Sequence, residues 1–303
     1  MERLDLLKGL SFGARIAEDE ITELAKYFVE TDQWNRILKG EIDVVCGDKG
    51  AGKSAIYSLL GTRVDDLFDK QILLVTAEKP RGDTVFKDLM TQPPTTEAEF
   101  IGLWKLYLAS LIAQKIKELG ISGDDLQAKK LIQTLEQMGF LKADFDLRSL
   151  FKEVRDYAHK WFNPKSVEGS IKIDPVTGLP IISGKITPGE PSSELRAKGF
   201  ISVEMLAELA NGALASADYT IWVLLDRLDV AFIDSHDLER NALRALFRVY
   251  RDFSAYERIK LKVFLRSDIW NRIVDGGFRE ASHITQVAIL DWTPPSLLNL
   301  IIR

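Results

Sequence analysis

Residues 47–54 read Gly-Asp-Lys-Gly-Ala-Gly-Lys-Ser, placed directly after the apolar run Ile42-Asp43-Val44-Val45-Cys46 and before a run with helical periodicity. A strand, a glycine loop and a helix in that order form a complete Walker A pattern, which restricts the chain to an α/β architecture with a phosphate-binding turn. Glycine is needed at Gly47, Gly50 and Gly52 because the main chain must curl with its N–H groups inward and approach phosphate oxygens without a Cβ in the way. In this pattern the backbone of Gly47, Asp48, Lys49, Gly50, Ala51, Gly52, Lys53, Ser54 and Ala55 cradles a polyphosphate. Lys53 supplies a point charge to the β/γ-phosphates and Ser54 offers its hydroxyl to Mg²⁺. The helix starting there turns its positive dipole end to the anion. ATP and Mg²⁺ are therefore the expected ligands.

The remaining strand candidates, Ile72–Thr76, Thr220–Leu225, Leu261–Leu265 and a weaker Ile284–Leu290, are mostly short, apolar on both faces and interleaved with helical patterns. Such strands belong to a parallel sheet covered on two sides. Between Pro80 and about Ala217 the pattern changes to long helices, for example Ile101–Leu119 with Leu108, Leu111 and Ile112 on one face and Gly120 as a stop. The expected organisation is a helical lead-in over 1–40, an α/β core over 41–80 and 218–290, and a mostly helical insertion over 81–217. A β-hairpin is expected near 169–186, turning at Asp174–Gly178. Residues 291–303 open like a further helix and end without a cap, which implies that the chain continues past Arg303.

Of 303 residues, 46% are hydrophobic and 28% charged, which excludes a disordered or fibrous class. No apolar run approaches the ~20 residues of a membrane helix. One cysteine, Cys46, cannot form an internal disulfide, and the start Met-Glu-Arg-Leu-Asp lacks the regions of a signal peptide. A soluble cytoplasmic protein is expected. The net charge of -5 argues against a general nucleic-acid-coating role but leaves a local basic patch open.

The glycine loop is shared by many reactions, so a second carboxylate must decide. Tyr219–Asp226 is an apolar strand ending in an acid, the Walker B pattern, which places Asp226 beside a Ser54-bound metal. Asp229, just past the strand, is a candidate to orient or deprotonate the attacking water. Helix capping or an ion pair with Arg227 is the structural alternative for Asp229. Leu261–Leu265 is followed by Arg266, in the chain order of an additional-strand P-loop ATPase, where the strand between the two motif strands delivers a phosphate-sensing group. Pairing of Arg266 with Asp268 is the alternative there. A guanine-specific Asn-Lys-x-Asp run is missing, and the stretch between Lys53 and Asp226 exceeds a compact kinase lid.

Taken together, Phe12-Gly13, Ala17–Glu20, Tyr27-Phe28, Gly47–Ser54, Asp226–Asp229 and Phe264–Asp268 resemble prokaryotic P-loop ATPases of the STAND and KAP-like type, within the broader AAA-like assemblage. The resemblance spans Ser11–Leu60, Trp222–Ala231 and Val263–Trp270 and is weak across the insertion. It implies a RecA-like three-layer core, Mg²⁺ held at Asp226, hydrolysis supported by Asp229 and phosphate sensed by Arg266. It further implies an ATP-gated homo-oligomerisation switch, frequent in bacterial antiviral defence, whose effector is a partner protein or fused domain. The chain departs from the family in lacking a clear arginine finger.

Arg240, Arg244, Arg248 and Arg251 share one narrow helix face beside an apolar one carrying Leu243, Leu246, Phe247 and Tyr250. That stripe is either a solvated face laced with ion pairs or a surface for phosphates, so a DNA-associated motor or loader is the alternative function. A nucleotide-binding scaffold with little turnover is the third. His159, His236 and His283 lack metal-ligand spacing, and Trp104, Trp161 and Trp270 read as core.

Overall fold

The computed structural model describes residues 28–78, 84–91, 93–94, 96–121, 125–142, 144, 146–162, 186–187, 193, 201–228, 230–232, 235–275, 277–292 and 294. Five parallel strands, β1 (Val44–Gly47), β2 (Ile72–Thr76), β5 (Thr220–Leu225), β6 (Ile259–Arg266) and β7 (Val287–Leu290), make one sheet in the order β2-β5-β6-β1-β7. Each lies within two or three residues of the stretch its apolar run predicts. Two short parallel strands, β3 (Ile186–Thr187) and β4 (Ile201–Ser202), pair apart from it.

Ten α-helices are described: α1 (Asp32–Leu38), α2 (Lys53–Thr62), α3 (Val64–Phe68), α4 (Asp88–Thr91), α5 (Glu97–Glu118), α6 (Leu126–Gln137), α7 (Leu147–Phe162), α8 (Val203–Ser216), α9 (His236–Phe253) and α10 (Ser267–Asp275). Side chains alternate across a strand, so the two faces of the sheet gather separate cores. Ile42, Val45, Leu74, Trp222, Leu224 and Phe264 pack with α1, α2 and α3. Val44, Cys46, Leu73, Val223, Val263 and Leu265 pack with α5 to α10. The result is helix, sheet and helix in three layers.

The helices between 81 and 217 are not a separate body. Helix α5 is buried along most of its 22 residues, and Trp104 Nε1 donates to the Ala242 carbonyl of α9 at 3.0 Å. Its start is set by Thr96, whose side chain accepts from Glu99 N, with Glu97 and Glu99 in the first turn where the dipole favours acids. Of the expected helical lead-in, residues 1–27 lie outside the described residues, as do the hairpin up to residue 185 and residues 295–303. Among the described residues no helix is long and apolar enough to cross a membrane.

One charge interrupts the apolar interior. Lys262, on the β6 face toward α1 and α2, is 1% exposed and donates to Asp43 Oδ1 at 2.8 Å and to the Ile42 carbonyl at 2.6 Å. Its ammonium lies 4.4 Å from the Trp222 ring centroid, and the Tyr250 hydroxyl donates to the other Asp43 oxygen at 3.2 Å. Burial pulls the Lys262 pKa down while Asp43 pulls it back up. Because Asp43 immediately precedes β1, this pair ties β1 to β6 in the register that sets Gly47 opposite Arg266. Removing one partner of a buried pair strands the other charge, so Asp43→Ala is expected to cost about 3–5 kcal/mol in chemical denaturation. A loss near zero would show that the pair does not hold the two strands.

Candidate functional site

The site is assembled at the C-terminal ends of the strands. β1 is wholly buried, flanked by β6 and β7, so its chain can leave only at Gly47. A Cβ on Gly47 would stand 2.9 Å from Ala51 Cβ and 3.1 Å from Leu290 Cβ. No larger residue fits without moving the loop or β7. The loop then turns with Ala51 N donating to the Asp48 carbonyl at 3.1 Å. Gly50 and Gly52 adopt φ of 87° and 96°, the left-handed region that glycine enters at little cost. Gly52 caps α2, and no side chain closes that helix end. Backbone N–H groups at an N-terminus left open in this way favour an anion.

Lys53 folds back over the loop, its ammonium donating to the carbonyls of Gly47 at 2.8 Å and Asp48 at 2.9 Å. Ser54, one residue further along α2, donates to Asp226 Oδ2 at 3.2 Å. Asp226 is 5% exposed and follows β5, two strands away from β1. Arg266 ends β6, the strand between them, so Gly47, Arg266 and Asp226 line up along one edge. Its guanidinium makes two parallel bonds to Asp268, Nε to Oδ1 at 3.0 Å and Nη2 to Oδ2 at 2.9 Å. The pairing with Asp268 is therefore the arrangement of Arg266 in this structure. Asp229 lies outside the described residues.

Sequence reasoning missed Glu78. It stands two residues beyond β2, the strand beside β5, and is 0% exposed. Its Oε2 accepts from the Thr84 hydroxyl at 2.8 Å and from Val85 N at 3.1 Å. Its Oε1 is buried without a hydrogen bond among the described residues, and Arg227 Nη1 stands 3.9 Å from it. Burial pushes the Glu78 carboxyl upward; the Thr84, Val85 and Arg227 contacts oppose that shift, and the neighbouring Asp226 charge adds to it. Two tyrosine hydroxyls grip the same strand end: Tyr57 of α2 donates to the Glu78 carbonyl at 2.6 Å and Tyr107 of α5 to the Ala77 carbonyl at 2.7 Å. Burial first, then the charges of Asp226 and Glu78, hold the Tyr57 hydroxyl protonated far above neutral pH. The missed signal was an acid just past an apolar strand, the feature that marked Asp226.

Arg227 has φ of 59°, a left-handed conformation that costs a residue with a side chain roughly 1–2 kcal/mol. Its surroundings hold it there, and it adjoins the acid facing Ser54.

Two of the four arginines on the α9 face are ion-paired. Arg240 bonds Asp237 at 2.7 Å, Arg248 pairs with Glu280 at 3.1 Å and with Glu97, and Arg244 donates to the Ile273 carbonyl at 3.4 Å. His159 bonds the buried Glu99 at 2.7 Å. Among the described residues no group of three or more His, Cys, Asp or Glu side chains could hold a metal ion. Comparison of the chain with protein-family models, curated proteins and solved structures finds no match.

Cys46 sits under the loop, buried in β1. Burial pushes its thiol up to about 12, against a smaller opposing pull from Lys53. At pH 8 the thiolate is then a fraction on the order of 10⁻⁴, so native protein is expected to resist iodoacetamide until it unfolds. Intact-mass spectrometry should find one adduct in denaturant and almost none in native buffer. Rapid native labelling would show that the loop does not seal β1.

Proposed function

We propose that the chain binds Mg-ATP at the strand ends of β1, β6 and β5 and hydrolyses it as a P-loop ATPase. The observation that carries this reading is the 3.2 Å approach of Ser54 to Asp226 across the sheet. A glycine turn matching the pattern by chance has no reason to bring a carboxylate from two strands away to the first turn of its helix. In this reading the open N-terminus of α2 and the loop amides take the phosphates. Lys53 exchanges its two carbonyl partners for phosphate oxygens. Arg266 is within its side chain's swing of the same edge.

Ser54 and Asp226 are hard oxygen donors, the pair that Mg²⁺ accepts alongside phosphate and water ligands, and they would hold it. Bound there, the ion would neutralise charge on the phosphate oxygens. Asp229, or a neighbouring acid, would take the proton of the attacking water. The strand order supports the additional-strand type, since β6 lies between the two motif strands. With the resemblance to STAND and KAP-like ATPases, the reading extends to a nucleotide-governed switch that controls assembly or an effector. Contacts from Lys53 and Arg266 to a γ-phosphate exist only in the triphosphate state, and that difference biases one arrangement over another. The ion pairing along α9 favours the solvated-face reading of the arginine stripe over a DNA-tracking one.

Each lost charge-assisted hydrogen bond is worth about 1.5–3 kcal/mol, so Lys53→Ala is expected to weaken Mg-ATP binding ten- to a hundredfold by calorimetry. Asp226→Asn should abolish phosphate release. Hydrolysis unchanged in Lys53→Ala removes this site assignment. A particle mass by light scattering that is the same without nucleotide, with ADP and with a non-hydrolysable ATP analogue removes the switch.

A further inference from the structure

The candidate site contains an acid that the loop, the metal side and the phosphate side do not use. Glu78 is fully buried, its Oε2 is fixed by Thr84 and Val85, and its Oε1 faces the Arg227 guanidinium at 3.9 Å without a hydrogen bond. Burying a carboxylate is costly unless it is paired and hydrogen-bonded. Its strand end is held from both sides, by Tyr57 on the helix that carries Lys53 and Ser54, and by Tyr107 on α5. Thus its position is fixed relative to α2, while its free oxygen points toward the residue after Asp226.

Arg227 is where a small displacement would matter most. It is left-handed without being glycine, so its backbone stays there only while its side chain and its neighbours keep it. The turn it occupies sets the direction in which Asp226 leaves β5 and meets Ser54 at 3.2 Å. We propose that Glu78 is a positioning residue for the metal-side acid: by holding the Arg227 guanidinium it keeps the turn after β5 in the conformation that aims Asp226 at Ser54. Complete burial keeps Glu78 itself away from the reacting atoms, so its effect runs through Arg227. This inference rests on the Mg-ATPase reading of the same site.

The test is phosphate release as a function of Mg²⁺ at saturating ATP, together with Mg²⁺-dependent binding of a non-hydrolysable ATP analogue by calorimetry, for wild type, Glu78→Gln, Arg227→Gln and the double variant. Glutamine keeps the size of Glu78 and an oxygen for Thr84 and Val85 but removes the charge that holds Arg227. Loss of a residue that orients a ligand typically weakens metal affinity or activity ten- to a hundredfold, so Glu78→Gln is expected to raise the Mg²⁺ needed for half-maximal turnover by about that factor. The KM for ATP should stay within about twofold, because the phosphate cradle is untouched. Arg227→Gln should reproduce the shift, and the double variant should lose much less than the sum of the two, since Glu78 acts through Arg227.

A Glu78→Gln enzyme with wild-type Mg²⁺ dependence overturns the proposal, as do additive losses in the double variant. If circular dichroism shows that Glu78→Gln does not fold, Arg227→Gln decides alone, and an unshifted Mg²⁺ dependence there overturns it. Wild-type turnover beside an unaltered Glu78→Gln removes only this inference. A wild type that neither binds nor hydrolyses Mg-ATP removes the site reading and this inference with it.

Discussion

Everything at the candidate site depends on the confinement of β1. The strand is covered on both faces and paired on both edges, so its four residues have no freedom to shift, and the chain must turn where it ends. Leu290 of β7 and Ala51 of the loop crowd that end from two sides, and only glycine fits at position 47. From there the path is determined: two left-handed glycines, then a helix whose first turn no side chain closes. The buried Lys262–Asp43 pair acts on the same strand from its other end. It locks β1 against β6, and β6 in turn spaces β1 from β5. The distance from Ser54 to Asp226 is therefore a property of three strands and one buried ion pair. Neither residue alone determines it.

Much of this was legible in the sequence because it is local. Val44-Val45-Cys46 followed by spaced glycines and then Ile56, Leu59 and Leu60 is a pattern whose strand, loop and helix follow from periodicity and from the φ that glycine alone enters freely. The apolar runs at Ile72–Thr76 and Thr220–Leu225 likewise became strands with their predicted bounds. Only the place of β6 between the two motif strands was readable, and that through the motif order; burial on both faces is the same for any interior strand, so contacts remote in sequence choose the other neighbours. Lys262 is the sharpest case. A lysine inside a strand read as an apolar run with one flaw, and its partner Asp43 lies 219 positions away.

The site divides the same way. Lys53, Ser54 and Asp226 were visible as motif positions, whereas Glu78 was not. Its burial is created by Thr84, Val85, Tyr57 and Tyr107, which come from three different parts of the chain. Arg266 was readable as a strand-end cation, with Asp268 as its alternative partner. Asp268, two residues on, lies within its local reach.

The arrangement of the two cations bears on how a nucleotide would compete for them. Lys53 donates to two main-chain carbonyls, bonds already strengthened by its own charge, and a phosphate oxygen would add the attraction of a full opposite charge. Arg266 and Asp268 are both well exposed, at 38% and 47% of their side chains, and such a pair contributes about 0–1 kcal/mol. Releasing it costs little. The acid beside Ser54 is different, because Asp226 is buried and the turn that follows it is strained. The ammonium bonds main-chain carbonyls and the guanidinium a surface acid, whereas the carboxylate is buried. On the proposed Mg-ATPase reading, a site built this way would commit its rigidity to the metal side and leave the phosphate side to respond, the division of labour that a response to the γ-phosphate requires.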